Sequence, residues 1–152
     1  MNGKSFRLTY KQDIMETKNS DSIVIIPTYN EKENIGKIIR AVADLDKVFH
    51  ILVIDDGSPD GTAAIVRSLM EGEFAGRLFM VERAGKLGLG TAYIAGFKWA
   101  LAHGYGYVFE MDADFSHDPK DLPRLYSACA GEGYDVAIGS RYVSGVNVVN
   151  WP

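Results

Sequence analysis

Four times in succession, a short apolar run gives way to a polar loop and then to a segment whose apolar residues recur at helical spacing. The runs are Ser22–Ile26, Ile51–Ile54, Leu78–Val81 and Tyr107–Met111. A run with no alternation, closed by turn residues, is how a strand buried on both faces reads, because neither face meets water. Between them, Ile35, Ile38, Ile39, Val42 and Leu45 fall on one helical face, and the stretches 62–70 and 91–102 read the same way. A last helix carries Leu122, Leu125, Tyr126 and Cys129, and a fifth strand is expected at Val136–Ile138. Strands alternating with helices require right-handed crossovers, so the expected fold is α/β: a mostly parallel open sheet with helices on both faces.

Local punctuation agrees with this order. Asn30 followed by Glu33 predicts a capping-box start for the first helix. Gly104 is expected to end the third, and Asp118-Pro119 to supply a cap and first-turn proline for the last. A chain of 152 residues, 47% of them hydrophobic, has material for one packed core, expected over 21–152. The polar stretch 1–20 is expected to be a flexible leader, and Met15 is compatible with a later start.

Several function classes fall away. The net charge of −4 and the lack of any Lys/Arg run give no electrostatic footprint for nucleic acid. A single cysteine, Cys129, excludes an internal disulfide and a cysteine-based zinc site. No window approaches the roughly 18 uninterrupted apolar residues that a membrane-spanning helix needs. There is no internal repeat or low-complexity linker.

In open parallel sheets, ligands bind outside the carboxyl ends of the strands, where the strand order reverses. The unusual polar residues sit at those ends: Pro27-Thr28-Tyr29-Asn30-Glu31, then Asp55-Asp56-Gly57-Ser58-Pro59-Asp60-Gly61-Thr62, Asp112-Ala113-Asp114, and Gly139-Ser140-Arg141-Tyr142. Each alone is also ordinary turn chemistry; their joint placement is what points to a site. If strand geometry persists through Asp112 and Asp114, both side chains face one way. Two carboxylates about 5 Å apart repel by roughly 3 kcal/mol at an effective dielectric near 20, and Asp55 or Asp56 nearby would add to it. Few all-oxygen ligands with room for water and phosphate suit Mg²⁺ or Mn²⁺ better than zinc, so the pair is assigned to a metal bridging a diphosphate. Arg141 is placed either as a guanidinium clamp on phosphate or as a surface ion pair.

Lys86-Leu87-Gly88-Leu89-Gly90-Thr91-Ala92 opens a helix, but its glycines do not make G-x-G-x-x-G and it follows the third strand, which sets aside a dinucleotide fingerprint. Two readings stand: a glycine loop whose Lys86 faces donor phosphates or sugar, and a simple helix-entry loop.

Together with Met111-Asp112-Ala113-Asp114-Phe115-Ser116-His117-Asp118-Pro119 and Tyr93, these segments resemble family 2 glycosyltransferases of the GT-A fold, in particular the polyprenyl-phosphate (dolichyl-phosphate) mannose synthase branch. The resemblance runs from Ser22 to Pro152. It implies that Pro27, Tyr29, Glu31, Ile54 and Asp56 contact the guanosine of GDP-mannose with Asp55 close by. It further implies that Asp112, Ala113 and Asp114 hold ribose, diphosphate and metal, and that Arg141 faces the diphosphate or acceptor phosphate. Relatives can carry a metal-completing glutamine two residues past the second Asp; here Ser116 stands there, a weaker ligand. The implied reaction transfers mannose from GDP-mannose to a polyprenyl monophosphate with inversion. It would run at the cytoplasmic face of a membrane, on a peripherally held protein. His117 is expected to sit beside the helix cap rather than act as a base.

The chain stops at Asn150-Trp151-Pro152, where the family continues into acceptor-facing elements. It is therefore expected to be a truncated form, with exposed apolar surface around Val146, Val148, Val149 and Trp151 and membrane contact through elements beyond its end. Two competing readings are a synthase using UDP-glucose or another donor, and a non-catalytic nucleotide-binding module.

Overall fold

The computed structural model describes residues 19–140 and Tyr142. Four strands form one parallel sheet: β1 (Ser22–Thr28), β2 (His50–Asp55), β3 (Leu78–Glu82) and β4 (Tyr107–Glu110), in the order β3-β2-β1-β4. The register sets Ile25 beside Leu52 and Glu110, and Asp55 beside Glu82. The central strands β1 and β2 carry the apolar residues with least exposure, as two-sided cover requires.

The helices are α1 (Ile35–Ala43), α2 (Thr62–Glu71), α3 (Leu89–Ala102) and α4 (Leu122–Ala130), the last entered through a 3₁₀ turn at Pro119–Asp121. Alternate strand residues divide between two cores. Val24, Ile26, Ile51 and Val53 pack under α1, α2 and the start of α4, while Ile23, Ile25, Leu52 and Ile54 pack under α3. Helices thus cover both faces, as the alternating pattern predicts. Asp118 caps the 3₁₀ turn, accepting a hydrogen bond from the Lys120 amide at 3.0 Å. Gly104 follows α3 at φ 69°, a left-handed turn that suits glycine.

Three expectations are corrected. Val136–Ile138 is not a strand: Val136 and Ile138 are 73% and 83% exposed, and no described strand pairs with them, so the run has neither ladder nor cover. The first helix does not start from an Asn30 capping box. Asn30 takes φ 60°, a turn carries the chain through 32–34, and the helix begins after Asn34, which makes no side-chain cap bond. Strand geometry also ends at Glu110, before the acidic pair.

At the other end, Ser20 is already packed into the fold, its hydroxyl donating to the Val48 carbonyl at 2.6 Å. The expectations for 1–18, for Arg141 and for the apolar surface at Val146, Val148, Val149 and Trp151 lie outside the described residues.

Candidate functional site

The sheet order places its switch point between β1 and β4: the chain runs outward from β1 through β2 to β3, then returns to set β4 on the other side of β1. A pocket of about 240 Å³ opens there, at the carboxyl ends of β1, β2 and β4. Pro27, Tyr29 and Glu31 line it from β1, Asp56 from β2, and Asp112, Ala113 and Asp114 from β4. Lys86 and Leu89 close a further side from the glycine loop.

Two loops are tied together to form one wall. Asp55, fully buried, accepts from the Thr28 hydroxyl at 2.9 Å and from the Ser58 amide and hydroxyl at 3.0 and 2.7 Å. Its carboxylate is thereby spent on bracing the turn rather than lining the pocket. Asp60 does the same across loops, accepting from the Lys32 amide and from Thr62. The Thr62 hydrogen bond leads the causes that hold the Asp60 carboxyl below its ordinary value. Ile54 is fully buried in the core under α3, so its side chain is not at the pocket surface.

Asp56 is 6% exposed and meets Arg83 in a two-pronged ion pair, Nε to Oδ1 at 2.6 Å and Nη2 to Oδ2 at 2.7 Å. Arg83 also donates to the Thr91 hydroxyl at 2.9 Å, linking the carboxylate to the start of α3. Asp56 thus adds no uncompensated charge to the acidic pair, contrary to the expectation from its place after β2, because the Arg83 guanidinium neutralises it. A signal existed. In the parallel pair of β2 and β3, Asp55 is opposite Glu82, so the next residue of each strand, Asp56 and Arg83, must also be neighbours.

Asp112 and Asp114 converge by a different route than strand alternation. The chain turns at Ala113, and Phe115 takes φ 62°. Asp112, half-buried, accepts from the Tyr93 hydroxyl at 2.9 Å on Oδ1, and its amide donates to Nδ1 of His117 at 3.2 Å. Asp114 accepts from the Ser116 amide at 2.9 Å. Side-chain and then backbone hydrogen bonds from Ser116 hold its carboxyl below the usual range. Ser116 and His117 thus both brace the acidic turn. On Tyr93, burial and then the adjacent Asp112 charge push the phenol well above its ordinary value, so it remains a donor. Lys86 sits over the Tyr29 ring at 4.8 Å, a cation–π contact on the pocket rim.

The donor set can be tested against a divalent cation. Among the described residues no three His, Cys, Asp or Glu side chains gather closely enough to hold a metal by themselves. The described ion pairs engage Asp56 but neither Asp112 nor Asp114. Two carboxylates outside the described salt bridges, beside open volume, fit a hard cation that completes its shell with water and ligand oxygens.

A parallel sheet of this order, with acids at its switch point, is a GT-A-like α/β fold. The chain belongs to glycosyl transferase family 2, whose model matches residues 23–152. It is 51% identical over 131 residues to the polyprenol monophosphomannose synthase of Mycolicibacterium smegmatis, covering 86% of this chain and 49% of that protein. It is 45% identical over 132 residues to the undecaprenyl-phosphate mannosyltransferase of Micrococcus luteus, covering 86% and 52%. The chain therefore spans about half the length of these relatives. Among solved structures, S. aureus TarS superposes with a TM-score of 0.61 at 25% identity, covering 84% of this chain and 38% of that one.

Proposed function

We propose that this chain forms the donor-binding part of an inverting glycosyltransferase that moves mannose from GDP-mannose to a polyprenyl monophosphate. The observation that carries the reading is the meeting of Tyr29, Asp56, Asp112 and Asp114, from three strand ends, around one pocket. The names of the two curated relatives support a polyprenyl-phosphate acceptor and mannosyl transfer.

In this reading Tyr29 and Asp56 receive the base, with Arg83 fixing the orientation of Asp56. Glu31 and Pro27 shape the same end of the pocket, while Ile54 and Asp55 act from behind it, as core and brace. Lys86 and Arg141 face phosphate. Mg²⁺ or Mn²⁺ held by Asp112 and Asp114 would supply charge neutralisation for the departing diphosphate. Ser116 acts through Asp114. The acceptor demands little proton chemistry: a phosphate monoester with a second pKa of about 6 is largely ionised at neutral pH. Alignment and electrostatic stabilisation are what the protein must provide. No described helix is long and apolar enough to cross a membrane. We place the protein at the cytoplasmic face of a membrane, where a polyprenyl-phosphate acceptor would lie.

Thermal shifts with GDP-mannose, GDP, UDP-glucose and UDP, each with and without Mn²⁺, test the donor assignment. The guanine pair should stabilise the chain more than the uridine pair. The reverse ranking would move the proposal to a UDP-sugar donor, and no shift with any nucleotide would sink it.

A further inference from the structure

Tyr93 is outside the pocket lining and outside the Asp-x-Asp turn, yet it touches the chemistry through one atom. It stands on the second turn of α3, which covers the face of the sheet opposite α1 and α2. Its half-buried ring runs beside Phe97, centroids 6.5 Å apart and nearly parallel. Its hydroxyl reaches the end of β4 and donates to Oδ1 of Asp112 at 2.9 Å. No described hydrogen bond engages Oδ2 of that carboxylate.

The helix is held at the distance this reach requires. Gly96, one turn after Tyr93, lies against Ile25 of β1, where an added Cβ would come within 2.6 Å of Ile25 Cγ2. Only glycine lets α3 approach so closely, and Ala92 and Ala100 continue the small face on either side. The Asp112 amide is meanwhile held by His117 from the following turn. Asp112 is thus fixed at its backbone by one residue and at one carboxylate oxygen by another.

We propose that Tyr93 is a positioning residue for divalent-metal binding: by occupying Oδ1 of Asp112 it fixes the carboxylate's rotation and leaves Oδ2 to take the cation. The proposal rests on the reading of Asp112 and Asp114 as metal ligands. Outer partners that orient a ligating carboxylate typically matter by about tenfold or more in metal affinity. A hydroxyl on a packed ring can be removed without removing the ring, which makes the effect separable from folding.

The test is Mn²⁺ binding in the presence of GDP, read from the free-ion signal in electron paramagnetic resonance. The proteins are the unmodified chain, Tyr93→Phe and Asp112→Ala, with metal-free GDP affinity measured in parallel by calorimetry. The expected result is that Asp112→Ala abolishes Mn²⁺ uptake. Tyr93→Phe should weaken it about tenfold while metal-free GDP affinity stays as in the unmodified chain. If Asp112→Ala binds Mn²⁺ normally, the ligand reading fails and the proposal with it. If Asp112→Ala loses the ion but Tyr93→Phe binds it as tightly as the unmodified chain, positioning by Tyr93 alone is refuted. A Tyr93→Phe protein that loses metal-free GDP binding as well would show a general structural role and would also overturn the proposal.

Discussion

Replacing Arg83 by methionine isolates the bracing of the pocket wall. The Arg83 and Asp56 side chains are only 12% and 9% exposed, and they meet in parallel, two-pronged contacts of 2.6 and 2.7 Å. Unit charges about 4 Å apart attract by roughly 4 kcal/mol at an effective dielectric near 20. Methionine keeps much of the stem volume but leaves Asp56 with little more than a long contact from the Leu87 amide at 3.4 Å. Removing one partner of a buried pair typically costs about 3–5 kcal/mol, because the survivor stays desolvated and uncompensated. We expect a loss of about 3 kcal/mol, taking the lower end because the pair borders an open pocket. With a urea slope of about 2 kcal/mol/M, the unfolding midpoint should fall by roughly 1.5 M. Arg83→Lys keeps the charge but not the fork, and should recover only part of the loss. In a double-mutant cycle, Asp56→Asn combined with Arg83→Met should cost less than the sum of the single changes. A midpoint that moves by less than about 0.2 M in Arg83→Met would show the pair to be solvated and would refute the bracing argument.

Other perturbations address separate parts of the account. Gly96→Ala drives a methyl into Ile25 and should destabilise by about 2 kcal/mol, lowering the melting temperature by about 5 °C in calorimetry. Asp60 has a folded-state pKa below its ordinary value, with the Thr62 hydrogen bond as first cause. Its contribution is therefore complete above the unfolded carboxyl value of about 3.9 and is lost as pH falls through the folded one. Asp60→Ala should accordingly lower stability at pH 7, and the gap to the unmodified chain should shrink at the acid end of a urea-unfolding series. Ser116→Ala should raise the Asp114 titration midpoint toward the ordinary carboxyl value, measured by NMR.

The fold was legible because its strongest signals are cumulative. Ile23 to Ile26 and Ile51 to Ile54 can be satisfied only by cover on two faces, and the intervening helical spacing supplies that cover. The short run Val136–Ile138 carried no such redundancy; three apolar residues make a strand only where a partner edge is present. Asn30 misled because its side chain reads as a cap, whereas its backbone enters the left-handed region that asparagine tolerates. The acidic residues of the pocket could be found from their position after strands. What sorted them into roles could not: Asp55 as a brace, Asp56 as an ion-paired wall, and Asp112 as a carboxylate held by Tyr93 depend on partners distant in the chain. Arg83 lay within reach of the register argument, since it follows the strand that pairs beside Asp55. Tyr93 had no such signal, because its reach depends on how closely Gly96 lets α3 approach the sheet.

In the function proposed above, Asp112 and Asp114 bind a sugar nucleotide's diphosphate through a divalent ion. Calorimetric titration of GDP-mannose into the chain, with Mn²⁺ and then with the ion chelated, addresses it directly. Binding should strengthen markedly with Mn²⁺ in the unmodified chain and lose that gain in Asp114→Ala. Affinity indifferent to the ion, or an ion effect that survives Asp114→Ala, would contradict it.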